Sequence, residues 1–198
     1  MEKIILATRN KGKIAEFSEL LSPYNIEILT SYDLGEPFDI VEDDDTFRGN
    51  ARLKATIYME ATNLPALADD SGLMVDILEG APGVNSARYA KENATDEENN
   101  QKLLENLKNV PKEKRTARFV SAIALVFPNK SVQIVEGFCE GIILDEPKGE
   151  NGFGYDPIFY VIEAGKTYAE MTPKEKNIYS HRAKAMQKLA RIMPSVWR

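Results

Sequence analysis

The segments RTARFVSAIALVF (115–127) and SVQIVEGFCEGIIL (131–144) are both long and β-rich, and only Pro128-Asn129-Lys130 separates them. A joint that short reverses the chain, because a parallel return needs a crossover of a dozen residues or more. The pair is predicted to form an antiparallel hairpin. Elsewhere strands and helices alternate. Lys3 to Thr8 (KIILAT) reads as a buried strand, and Gly12 to Leu21 as a helix with Ile14, Phe17, Leu20 and Leu21 at helical spacing. An extended IEIL (26–29) leads into the acidic loop EDDD (42–45), and a helix is predicted from Thr46 to about Thr62, with Lys54 near its apolar face. Thr95 to Glu98 spells a capping box that opens a helix to about Leu107. Thr172-Pro173-Lys174-Glu175 spells another, with Pro at the first helical position and a restart expected at Ser180. Helices interleaved with strands, plus one long hairpin, predict an α/β fold with a mixed sheet and flanking helices.

PALADDSGL (65–73) is an apolar strand predicted to end at Asp69, before a second extended stretch at 73–78. Adjacent strand residues point to opposite faces, so Asp69 and Asp70 cannot share one site while the strand stays regular. One carboxylate is expected to face chemistry assembled from elsewhere, and the other to face away.

The chain has 198 residues, which suits a single domain spanning 1–198, and no repeat, low-complexity segment or linker interrupts it. A net charge of −6 argues against broad nucleic-acid binding. No apolar run approaches the roughly 18 residues that span a bilayer, so no membrane association is expected. The apolar N-terminal stretch is too short and too quickly charged for a signal peptide. With Cys139 as the one cysteine, no internal disulfide or multi-cysteine metal cluster is available, and a reducing, cytoplasmic compartment is expected. His181 is the one histidine, which argues against His-based zinc sites.

Four stretches carry chemistry. ATRNKGK (7–13) is a strand–turn–helix start, where backbone N–H groups and the helix dipole favour an anion and Lys11 and Lys13 add charge. It also suits an ordinary solvated βα turn, and its spacing is not that of a P-loop. In NGFGYDP (151–157), glycines flank Phe153, an arrangement that suits a stacking platform for a base as well as a tight turn. SHR (180–182) sets donors His181 and Arg182 side by side near a helix start, which also suits exposed charge with a capping serine. The acids at 42–45 by themselves read as a solvated loop rather than a metal site. Taken together, the cations suit phosphates, the aromatic suits a base, and one carboxylate from 42–45 with one from 69–70 suits magnesium.

In order along the chain, ATRNKGK, TFRGNARLKA, ALADDSGLMVDILEGAPGVNSARYA, GENGFGYDPIF and TPKEKNIYSHRAKA make a specific set. By these motifs the sequence resembles the inosine/xanthosine triphosphate pyrophosphatases, nearly end to end. The resemblance implies Mg²⁺-dependent hydrolysis of deaminated purine triphosphates (ITP, dITP, XTP) to monophosphate and pyrophosphate. It also implies an elongated fold with two lobes around a central cleft, and a homodimer. Position by position, it implies phosphate contacts at Thr8, Arg9, Asn10, Lys11, Gly12 and Lys13. Asp70 takes the place of a metal ligand and proton acceptor, Ser71 that of a substrate contact, and Glu42 that of a second metal carboxylate. Phe153, Gly154, Tyr155, Asp156, Lys176, His181 and Arg182 match the base and sugar-phosphate pocket. The family usually has Thr-Gly after the glutamate, where this chain has Asp43-Asp44-Asp45, so the metal duty can shift among those acids. Two other readings share parts of the pattern: a related pyrophosphatase for other modified nucleotides, and a non-catalytic purine nucleotide sensor.

Overall fold

The computed structural model describes residues 2–35, 38 and 40–196. β1 (Glu2–Leu6) runs into α1 (Lys11–Leu21), which Asn10 opens by accepting the Lys13 amide on its side chain. β2 (Ile26–Thr30) follows, then α2 (Phe47–Thr62), capped by Thr46 and closed by Asn63 in the left-handed conformation. β3 (Ala66–Val75) precedes α3 (Asp96–Asn106), and the hairpin strands are β4 (Thr116–Val126) and β5 (Val132–Ile143). The short strands β6 (Phe159–Val161) and β7 (Lys166–Thr167) lead to α4 (Pro173–Tyr179) and α5 (His181–Val196). Both predicted capping boxes form, Thr95 with Glu98 and Thr172 with Glu175.

Among the described residues the strands make one mixed sheet, in the order β2-β1-β3-β4-β5-β6-β7. β1 is parallel to both neighbours, setting Ile4 beside Ile28 and Ile5 beside Ala66. β6 is antiparallel to β5 and to β7, with Ile143 opposite Phe159 and Tyr160 opposite Thr167. The β4–β5 turn is closed by the Phe127 amide on the Ser131 carbonyl at 3.0 Å.

One expectation is corrected. The strand does not end at Asp69; β3 continues through Asp69-Asp70-Ser71-Gly72 to Val75, and residues 76–78 form a short 3-10 turn. Acidic residues sit inside a strand here because each carboxylate has a cation within reach, so no break is needed to expose them to water.

The chain divides into two compact units, each discontinuous in sequence. The first contains residues up to Asp70, Ser121–Gly137, and those from Ala185 onward. Its core sets Ile4, Leu6, Leu67, Ile123 and Leu125 of the strands against Phe17 and Leu21 of α1 and Met186 and Leu189 of α5. Burying each such side chain contributes about 1.5–3 kcal/mol. The second unit, Ser71–Val120 and Phe138–Lys184, has its own core. There Leu73, Val75, Phe119, Ile143 and Phe159 pack with Leu103 of α3, with Leu107 just past its end and with Tyr168.

Candidate active site

In the first unit the period of β3 separates the two aspartates. Asp69 Oδ2 lies 2.8 Å from Lys13 Nζ, and its Oδ1 accepts the Ser121 hydroxyl at 2.5 Å. Asp70 instead meets Lys54, whose Nζ is 3.0 Å from Asp70 Oδ1 and 3.0 Å from Glu42 Oε2. Lys54 is brought there by α2, on a face otherwise buried through Ala51, Ala55 and Tyr58. Asp70 Oδ2 is buried and has no hydrogen-bond partner.

This arrangement separates the two acids electrostatically. Burial pushes the Asp70 carboxyl above its ordinary range; the neighbouring Lys54 and Lys13 charges oppose this only in part, and the Glu42 charge adds to it. Burial also acts on Glu42, but there the Lys54 charge and hydrogen bond, with Lys13 behind them, hold it below its ordinary value. Lys54 loses hydration too, yet its two carboxylates raise it further and keep it charged. Two interacting acids therefore take different protonation behaviour from their surroundings. Asp70 is the better proton acceptor of the pair near neutral pH.

The expected phosphate turn is pre-shaped. Asn10 donates its amide to Thr8 Oγ1 at 3.2 Å, the Thr8 carbonyl accepts Ser31 Oγ at 2.8 Å, and the Arg9 carbonyl accepts the Tyr32 hydroxyl at 3.0 Å. Lys11 and Gly12 form the start of α1, with Lys11 exposed. Lys13 turns from that helix onto Asp69. Of the acids at 42–45, Glu42 alone is tied to Asp70 through a shared cation. Asp44 is committed to the helix start: its Oδ1 accepts the Thr46 amide at 2.8 Å, and Asn50 grips its backbone from both sides. A Cβ on Gly49 would lie 1.9 Å from the Asp44 carboxylate carbon, so any larger residue there would push the Asp44 side chain from its place at the helix start. Asp43 and Asp45 are exposed.

In the second unit, a loop carries Phe153 between Gly152 and Gly154, which take φ of 81° and 63°. Asp156 Oδ2 accepts the Phe153 amide at 3.0 Å and pairs with Lys176 Nζ at 2.6 Å. That ammonium stands 4.9 Å from the Phe153 ring centre. On the other side, Gly154 donates its amide to Asp96 Oδ2 at 2.6 Å and accepts Asn100 Nδ2 on its carbonyl at 3.0 Å. A groove of about 760 Å³ runs beside the loop, with Asn100, Leu104, Pro147, Phe153 and Pro157 in its walls. Tyr155 is in the core, its hydroxyl donating to the Ser86 carbonyl at 2.8 Å. His181 is buried and stacked on Phe119, with ring centres 4.8 Å apart and planes 11° from parallel. Arg182, only 1% exposed, donates to Ser71 Oγ at 3.1 Å.

Three features escaped the sequence reading. Lys54 was legible as a face residue of α2 but not as the bridge between two acids. The Ser121 contact to Asp69 joins positions 52 residues apart. Asp96 and Asn100 gave no signal beyond their place in a capped helix.

The fold agrees with that of known proteins. Residues 4–192 match a model of the Ham1 family. A dITP/XTP pyrophosphatase of Geobacillus kaustophilus is 49% identical, over 96% of this chain and 93% of that protein. One from Desulforamulus reducens is 50% identical, over 96% and 95%, and one from Bacillus subtilis 47%, over 98% of each. Among solved structures, a Ham1 protein from Coxiella burnetii superposes with a TM-score of 0.89 at 46% identity, covering 98% of this chain and 100% of that one. The Staphylococcus aureus Ham1 protein gives 0.88 at 40% identity, over 98% and 99%. Matched along nearly its whole length by the family model and by relatives close to half identical, the chain belongs to the Ham1 family.

Proposed function

We propose that this protein hydrolyses deaminated purine nucleoside triphosphates (dITP, XTP and ITP) to the monophosphate and pyrophosphate. The observation that carries the reading is the buried Asp70 carboxylate, raised in pKa and held beside Glu42 by Lys54. It occurs in a chain about half identical to curated dITP/XTP pyrophosphatases. In this reading Asp70 orients the attacking water and takes its proton. Lys13 and Lys54 supply positive charge for the departing pyrophosphate. Thr8 to Lys13 bind phosphate oxygens through the turn and the start of α1.

A divalent cation fits the donors present. Asp70 Oδ2 is a buried oxygen without a partner, and Glu42 is the neighbouring carboxylate. No group of three or more His, Cys, Asp or Glu side chains among the described residues is arranged for a metal. Two carboxylates are nonetheless what magnesium takes when substrate phosphates and water complete its shell. Asp70 and Glu42 would hold it, and the bound ion supplies charge neutralisation on the phosphate oxygens.

The base is assigned to Phe153 as stacking platform, with Gly154, Asp156, Lys176, His181 and Arg182 around it and Ser71 as a further contact. Tyr155 supports the loop from the core. The reading also takes a homodimer as the working assembly and the cytoplasm as its compartment. The second of these is supported by a lone cysteine, buried at Cys139. No helix among the described residues is long and apolar enough to cross a membrane.

The test is product analysis with a panel of triphosphates and magnesium. Inosine monophosphate and pyrophosphate are the expected first products from ITP. Release of orthophosphate and the diphosphate nucleotide would overturn the reading, as would tight binding with no turnover.

A further inference from the structure

The backbone on either side of Phe153 is held more firmly than a loop of this composition requires. Gly152 and Gly154 allow positive φ, but allowing a conformation does not enforce it. Enforcement comes from four successive backbone groups. The Phe153 amide is held by Asp156 Oδ2 at 3.0 Å, and the Phe153 carbonyl accepts the Asp156 amide at 3.3 Å. The Gly154 amide is held by Asp96 Oδ2 at 2.6 Å, and its carbonyl by Asn100 Nδ2 at 3.0 Å. Asp96 and Asn100 stand one helical turn apart on α3, so one rigid element fixes both ends of the Gly154 residue. A charged acceptor on a backbone amide is among the stronger hydrogen bonds available. Asn100 is itself buried, which fixes the direction of its donor.

From this geometry we infer that Asp96 and Asn100 are positioning residues of the purine site. Acting through the Gly154 backbone, they hold the Phe153 ring in the stacking position before the nucleotide arrives. The inference rests on the reading of Phe153 as the stacking platform. A platform set in advance spares the complex the entropy of ordering it, and the gain appears in substrate affinity rather than in the chemical step.

The test is steady-state kinetics with dITP and magnesium on wild type, Asp96→Ala, Asp96→Asn, Asn100→Ala, Phe153→Ala and Asp96→Ala/Phe153→Ala, with Tm recorded for each. Asp96→Ala should raise KM about tenfold while kcat stays within about twofold, and Asn100→Ala should follow the same pattern. Asp96→Asn keeps an acceptor oxygen for the Gly154 amide and should recover most of the loss. In the Phe153→Ala background, Asp96→Ala should change KM less than about twofold, because nothing remains to position. A folded Asp96→Ala and Asn100→Ala with wild-type KM overturn the inference, and so does a tenfold effect that persists without the Phe153 ring. An unchanged KM in Phe153→Ala alone removes the platform and the inference with it, and so marks the failure of the stacking reading separately.

Discussion

At Asp69 and Asp70 the alternation of β3 sends one carboxylate to Lys13 and Ser121 and the other to Lys54, so two neighbouring acids are expected to fail differently when neutralised. Asp70→Asn should lower kcat by about 10²–10⁴, the usual contribution of a positioned base, while Tm holds or rises because a desolvated charge is gone. Asp69→Asn should instead cost about 1–3 kcal/mol of stability by leaving the largely buried Lys13 ammonium without its carboxylate, with the smaller loss of kcat. Thermal melts and initial rates on both variants decide this, and a larger kcat loss for Asp69→Asn would reverse the assignment. The opposition of the pair was legible from period two alone, whereas Lys54 was not. Its partners come from a loop 12 residues before it and a strand 16 residues after it, and only the fold closes those turns onto α2. Base selection is a further residue-level matter. Inosine and xanthine offer a 6-oxo acceptor where adenine offers an amino donor, and an unpaired buried donor is costly. In Arg182→Ala and His181→Ala the kcat/KM preference for ITP over ATP should shrink at least about tenfold, mainly through loss on ITP. A preference intact in both would remove these two residues from recognition.

Helix starts were the most legible elements, because their signals are local: Thr95 with Glu98 and Thr172 with Glu175 each close within four residues. The hairpin was equally plain from its short joint. The continuity of β3 through four polar or small residues was not, because it depends on cations supplied by α1 and α2. β6 and β7, of three and two residues, carry too little pattern to be seen in advance. The α4 capping box has a pH signature. Hydrogen bonds from Lys166 and then from the Thr172 amide lower Glu175 from its ordinary 4.5 to about 2. A carboxyl depressed in the folded state stabilises above its unfolded value, and that contribution is lost as pH falls through the folded one. Glu175→Gln should therefore be less stable than wild type at neutral pH, with the two Tm curves converging between about pH 4.5 and 2. Curves that stay parallel through that window would deny Glu175 this role.

At the scale of the whole molecule, the boundaries of the two units fall inside elements rather than in loops: β3 changes unit after Asp70, β4 after Val120, β5 after Gly137 and α5 after Lys184. Once α5 is in place, uninterrupted strands and a helix carry the loss of one unit directly into the elements of the other. Denaturation should therefore be a single transition, with calorimetric and van't Hoff enthalpies equal. Two resolved transitions would show independent units. The first unit's core also draws Met186 and Leu189 from the last helix to pack against Ile4, Leu6 and Phe17. During synthesis, then, the segments up to Asp70 must wait for α5 to complete their core, while 71–184 already contains every segment of the second core. A chain halted at residue 184 should shield its middle from protease and leave its first 70 residues open to cleavage. A ribosome that stops early on this message would release a finished second core joined to an unfinished first one.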